Sequence, residues 1–214
     1  MKRTVKNGFF MSLFLVAVSQ AGFAQTLKEF FNGDATALFL GVDFTKAKLI
    51  DDVTSDEKVI RDKEYGAINE AIITNYKKYS LEGSFHKAKM DHDIGEVSRR
   101  NLKIDPAQIK STNTSDFHRF KEDDIATLVK GFDFGDKSGT GILIVMEAMS
   151  KSSKSAAIWV VFIDMKAKKV LLTERFEEKV SMAFGFHSYW TGPIKRMLED
   201  IDDDKIKEWK AKYQ

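Results

Sequence analysis

Two apolar runs of strand length, Ile142 to Met149 and Ala156 to Ile163, constrain this chain more than any other feature in it. The segment between them, Ser150-Lys151-Ser152-Ser153-Lys154-Ser155, is polar throughout and suits only a water-facing loop, so a hairpin follows. After a second tight connection at residues 165–169, Val170, Leu172 and Phe176 alternate with Thr173, Arg175 and Glu177. That period of two marks a third strand. The prediction is a C-terminal three-stranded antiparallel meander, its first two strands covered on both faces and its third nearer an edge.

The rest of the chain supplies helices to cover that sheet. Leu38, Leu40, Val42 and Phe44 alternate through a segment whose first half is apolar on both faces, which reads as another buried strand. Thr54 and Glu57 have capping-box spacing, and Tyr65, Ile68, Ile72, Tyr76 and Tyr79 recur at steps of three and four, which predicts a helix running to about Ser80. Residues 84–90 could form a strand, and Asp105-Pro106 could open a short helix. Ile125, Leu128, Val129 and Phe132 mark a further helix closed by Gly131 and Gly135, and Trp190, Ile194, Met197, Leu198 and Ile201 mark a last one. Residues 25–35 read as a lead-in with a turn at Asn32-Gly33-Asp34. From about residue 202 a charged tail follows, with Ile206 and Trp209 as docking points. The expected fold class is α/β (α+β): a mixed sheet in a single domain over residues 25–214, with helices packed against it.

The start of the chain predicts an address. Lys2, Arg3 and Lys6, then an apolar run from Phe9 to Val18, lead to Ala21-Gly22-Phe23-Ala24, which puts small residues at the two positions a signal peptidase reads. This is the pattern of a secretory signal peptide cleaved near Ala24-Gln25. The apolar run is shorter than the roughly 20 residues of a membrane span, so periplasmic or secreted localisation without a stable membrane anchor is expected. The chain has no cysteine, hence no disulfide and no lipid-bearing thiol. Residues 1–24 hold three of the 34 basic residues and none of the 32 acidic ones, leaving 31 basic and 32 acidic residues and a net charge of −1. That balance argues against nucleic acid as a partner. Seventeen Phe and two Pro argue for a packed core.

The Leu38 to Phe44 strand, the Ile125 to Val129 helix leading into Gly141 to Val145, and the Trp159 to Asp164 and Lys169 to Leu172 strands before a last helix resemble a family of small periplasmic α/β domains. Its members include the N-terminal domain of the Tol-system propeller protein and the lipoprotein activators of penicillin-binding proteins. The resemblance covers roughly residues 36–201. It implies an envelope adaptor without catalytic residues, and it carries no functional residue across. Gln25 stands where the family's lipoproteins carry their lipidated cysteine.

Several motifs bear on chemistry. Residues 131–138 lack one glycine of a phosphate-binding loop, with Asp136 in its place, and follow a helix where such a loop follows a strand; a polar turn is the better reading. His86, Asp91, His92, Asp93 and Glu96 are metal-ligating residue types, but their spacing matches no site and the calcium-loop pattern lacks its fifth-position oxygen and its late acid. No metal or other cofactor is expected. None of His86, His92, His118 and His187 lies in a serine-nucleophile elbow or a zinc-protease helix, and the pairs Glu177-Glu178 and Asp123-Asp124 read as solvated charges. A non-catalytic role is the expectation.

The segment Phe184-Gly185-Phe186-His187-Ser188-Tyr189-Trp190 concentrates ring side chains around a glycine. Phe184, Phe186, His187, Tyr189 and Trp190 are therefore the candidate partner-binding residues, because rings give much contact for little lost rotamer freedom. The competing reading has them capping the core between the last strand and helix. The expected function is an exported adaptor or binding domain that recognises an envelope protein or cell-wall component. The alternative is a small-molecule binder or an unrecognised hydrolase, with a pocket formed near His86 to Glu96 and His187.

Overall fold

The computed structural model of the chain describes residues 27–33 and 35–213. The expected export segment lies outside them, and no helix among the described residues is long and apolar enough to cross a membrane. Among the described residues, seven strands form one sheet. The strands β5 (Thr140–Ser150), β6 (Ser155–Asp164) and β7 (Lys169–Lys179) are its long members, and each pairs antiparallel with the next, β7 lying at the edge. The other long edge of β5 is shared end to end by β1 (Ala37–Asp43) and β2 (Lys48–Ile50), both parallel to it. Two-residue strands β3 (Asp91–His92) and β4 (Lys110–Ser111) continue outward, parallel to β1 and β2 respectively. The sheet is mixed, as expected. The meander makes up one half, and the parallel half is built from pieces too short to leave a sequence pattern.

Helices cover both faces, which is why β5 and β6 read as unbroken apolar runs. Ile142, Ile144, Met146, Ile158, Val160 and Phe162 face one core, and Leu143, Val145, Trp159, Val161 and Ile163 face the other. On the first face lie α1 (residues 27–32), α2 (residues 57–74) and α6 (residues 186–212). On the second lie α4 (Gly95–Asn101) and α5 (Glu122–Lys130), through Val97, Ile125 and Val129. A one-turn helix, α3 (Leu81–Ser84), separates α2 from β3.

Several expectations are corrected. The lead-in is a core helix, with Leu27, Phe30 and Phe31 buried. Asp56, not Thr54, caps α2, its side chain accepting from the Val59 N–H at 2.9 Å. The α2 helix continues through a π-helical turn at Ile60–Glu64 and ends at Thr74, so Tyr76 is exposed and Tyr79 is buried from the following turn. Residues 84–90 contain a helix end and turns, and pairing begins only at Asp91. The charged tail is the continuation of α6 through a second π-helical turn, Ile201–Lys205, and Ile206 and Trp209 dock in the core.

The end of β1 is shaped by side-chain amides. Leu40 is the extra residue of a β-bulge against β5, and Gly41 follows at φ 97°. A Cβ on Gly41 would lie 2.6 Å from Val97 Cγ2 and 2.7 Å from Asn69 Oδ1, so only glycine fits. Beyond the reach of β3, Asn69 and Asn101 bond the backbone of Val42 and Phe44 in place of a neighbouring strand. In β5 the buried Glu147 occupies a second bulge, between Met146 and Ala148.

Candidate functional site

The hairpin register places Ser150, Ser155 and Lys179 together at one end of the sheet, and β2 brings Ile50 to the same end. Three connections meet there: the tight turn 151–154, the segment 51–56 after β2, and the segment 180–185 after β7. Local chemistry holds them. Asp52 is almost fully buried and accepts from the Thr54 and Ser55 N–H groups at 3.0 and 2.8 Å and from the Ser55 hydroxyl at 2.9 Å, which is a side-chain-closed turn. Burial pushes the Asp52 carboxyl up, but these bonds and the Lys151 ammonium outweigh it and hold the group below the ordinary carboxylate range.

Lys151 ties two of the connections to α6. Its Nζ lies 3.8 Å from Asp52 Oδ2 and 4.2 Å from the centre of the Tyr189 ring. Ser152 Oγ donates to Asp51 Oδ2 at 2.6 Å, and the Val180 N–H donates to the Lys154 carbonyl at 3.0 Å. Gly185 starts α6 at φ 82°, and Gly192, about two turns on, lets Ser181 pack close: a Cβ there would be 3.3 Å from the Ser181 nitrogen. The segment 180–185 is thus held at Val180 and Ser181 before its tip and by the start of α6 after it, where the Tyr189 N–H donates to the Gly185 carbonyl at 3.1 Å.

The five candidate residues divide. Phe184 is fully exposed, and so is Met182, two positions before it. Phe186 and Tyr189 are half-buried against the core, and Trp190 is completely buried with the Tyr189 ring edge-on at 4.9 Å. His187 is exposed, with Nδ1 3.5 Å from Glu64 Oε2. The segment therefore caps the core through one part and projects two apolar side chains through another. Sequence reading missed Met182, for which the adjacent aromatic cluster was a usable signal. It also missed Val53, 90% exposed at the same sheet end, for which there was none.

The residues of the alternative pocket are not brought together. His86 Nε2 lies 2.7 Å from Asp202 Oδ1, at α6, and His187 sits with Glu64 at the start of that helix. Asp93 accepts from the Gly95 N–H at 2.9 Å and pairs with Lys137 Nζ at 3.0 Å, while Glu96 pairs with Arg99. Two motifs set aside separately do meet here: Asp93 and Glu96 face Phe132, Phe134 and Lys137 of the 131–138 turn across an open cleft of about 430 Å³. No histidine lines it. Gly131 caps α5, and β5 follows the turn. Among the described residues, no group of three or more His, Asp or Glu side chains is placed to hold a metal.

The Glu177-Glu178 pair needs a different description. Burial, and then the neighbouring carboxyl of Asp200, push Glu178 up to about 7, with Arg196 opposing. Glu177 instead reaches Arg175 and, at 3.1 Å, His118 Nδ1. Comparison with protein-family models and with curated proteins found no match.

Proposed function

We propose that this chain is an exported, non-catalytic adaptor that docks an envelope protein on the sheet end carrying Met182, Phe184 and Val53. The observation that carries the reading is the pair Met182 and Phe184, both fully exposed on a segment whose two ends are anchored. Contiguous apolar side chains exposed on one surface mark interaction sites, and Met182 and Phe184 stand two residues apart on one held loop. Little ordering entropy is lost when such a loop binds. Burying one aromatic side chain of about 150–250 Å² is worth a few kcal/mol.

The chemistry favours a protein over a glycan. Met182 is a flexible thioether that fits irregular apolar pockets, and Lys151, half-buried beside Tyr189, offers one charge at the border. Export rests on the basic and apolar start of the sequence, and the adaptor role agrees with the resemblance to periplasmic envelope domains. The test is affinity capture from detergent-solubilised envelope fractions with the wild type and with Met182→Ser/Phe184→Ser. The reading expects one partner that the double variant loses and that a Val59→Ser control retains. Equal recovery by all three proteins contradicts it.

A further inference from the structure

Between the end of β1 and the start of β2 the chain turns through residues 44–47, and beside this turn runs an open groove of about 700 Å³. Five cationic side chains line it: Lys46 and Lys48 from the turn and β2, Arg100 and Lys103 from the end of α4 and just beyond, and Arg119 from the segment before α5. None of its lining residues belongs to the three connections at the sheet end.

Of the nearby carboxylates, Asp43 and Glu96 are ion-paired, while Asp105, in the groove lining, accepts a backbone bond that leaves its charge in place. Asp43, fully buried, accepts from Arg100 Nε at 3.0 Å and from the Thr45 N–H at 2.8 Å. Glu96 pairs with Arg99 and accepts from the Asp133 N–H at 3.3 Å, and Asp105 accepts from the Ala107 N–H at 3.1 Å. Arg100 is fixed, its Nη1 donating to the Gly131 carbonyl at 2.9 Å while the guanidinium lies over Phe132 at 4.1 Å. It forms a wall; Lys46, Lys48 and Lys103 are the groove's open charges, and Arg119 is half-buried beside them.

None of these four forms a close ion pair with a carboxylate among the described residues, although Asp116, Glu147 and Asp124 act on Arg119 electrostatically. Lys48 donates to the Gln108 carbonyl, which satisfies a hydrogen bond without neutralising the charge. Lys46 and Lys103 are exposed. Arg119 is half-buried, with Nε and Nη2 enclosed and lacking any hydrogen-bond partner. Leaving such donors unmade is unfavourable, and burial lowers the guanidinium's pKa against the pull of Asp116, Glu147 and Asp124. The residues after Ala24 carry a net charge of only −1, so this positive groove is a local concentration and not the sign of a basic protein. The lining sets five cationic side chains against two carboxylates, Glu96 and Asp105, and a cleft with such an excess of one sign focuses the field and gathers counter-charged ligands.

We infer that this groove binds a ligand carrying a multiply charged phosphate group, held by Lys46, Lys48, Lys103 and Arg119. Four converging cations suit a group with two or more negative charges and several acceptor oxygens. Charge-assisted bonds from Lys and Arg are the strong class of contact for it. The same chemistry could arrive as a soluble phosphate ester or as a lipid headgroup.

The test titrates inorganic pyrophosphate into the purified protein by calorimetry at low salt. In parallel, it measures co-sedimentation with phosphatidic acid/phosphatidylcholine vesicles, whose phosphomonoester headgroup carries up to two negative charges, against phosphatidylcholine alone. Saturable binding to either probe, weakened about ten-fold by Lys103→Gln and by Arg119→Gln and untouched by a Lys130→Gln control, supports the inference. Response to pyrophosphate assigns a soluble ligand, and response to the anionic vesicles alone assigns a headgroup. No saturable binding to either probe overturns it, and so does binding that the groove variants leave unchanged or that Lys130→Gln weakens equally. Lys103 is exposed, so its variant is expected to melt as the wild type does.

Discussion

Asn69 bonds both backbone groups of Val42, its Oδ1 accepting from the N–H at 2.7 Å and its Nδ2 donating to the carbonyl at 3.1 Å. A single side chain on α2 thus completes the edge of β1 where no strand reaches. Asn101 of α4 adds a second bond to the same carbonyl at 3.0 Å and takes the Phe44 N–H at 2.9 Å. Together the two amides fix the strand end from which the turn to β2 departs.

Replacing Asn69 with leucine keeps the branching at Cγ, though with a larger side chain, and removes the donor and acceptor. The Val42 N–H is then buried without a partner, and the expected loss of stability is about 2 kcal/mol. Urea unfolding of the variant beside wild type measures it, and an unchanged midpoint would show that the edge needs no such completion.

Glu147 is the charged centre of the other face. It accepts from Arg175 Nε at 2.7 Å, Trp159 Nε1 at 3.0 Å and the Phe120 N–H at 2.7 Å, and its own side chain is fully enclosed. Glu147→Ala strands all three donors, Arg175 among them. The expected cost is about 3–5 kcal/mol by denaturant unfolding, and a cost below about 1 kcal/mol would contradict the network.

Tyr65 stacks on Phe44 with ring centres 4.1 Å apart and planes within 6°, yet its hydroxyl is buried with no hydrogen-bond partner among the described residues. Burial pushes this phenol above its ordinary pKa. Tyr65→Phe keeps the stack and removes the unsatisfied group, so a gain of about 1 kcal/mol is expected. A clear loss of stability would mean that the hydroxyl has a partner in solution.

The raised pKa of Glu178 makes stability pH-dependent. Its folded value of about 7 lies above the ordinary 4.5, so the folded state holds the proton more tightly than the unfolded chain does. The contribution is complete below about pH 4.5 and is lost as the pH rises through about 7. Relative to Glu178→Gln, the wild-type melting temperature is expected to fall across that interval. Parallel melting curves at every pH would remove the effect.

How much of this was legible in the sequence depended on length and on period. The β5 and β6 runs were visible because ten or more residues covered on both faces leave an unbroken apolar signature, and β7 because its edge position leaves alternation. β2, β3 and β4 span three, two and two residues and pair only because distant segments arrive beside them. The α1 stripe of Leu27, Phe30 and Phe31 has helical spacing but is too short to form without the core it packs against. Glu147 stood in plain view inside an apolar run, where a lone charge signals a bulge or a buried pair.

The candidate surfaces divided in the same way. Composition picked out residues 184–190, and the stripe beginning at Trp190 already placed that residue inside a helix. Exposure of Met182 and Phe184 depends on Gly185 turning the chain into α6, which composition does not encode. The cationic groove was invisible because its residues span positions 46–119 and converge only after β1 and β2 align along β5.

The most direct measurement of the central claim is site-specific photo-crosslinking in cells, with a benzophenone amino acid at position 184 and, as a control, at position 76, where Tyr76 is also exposed. A discrete adduct with an envelope protein at position 184, absent at position 76, is the predicted result. No adduct at 184, or the same adduct at both positions, would contradict the assignment of this sheet end as the docking surface.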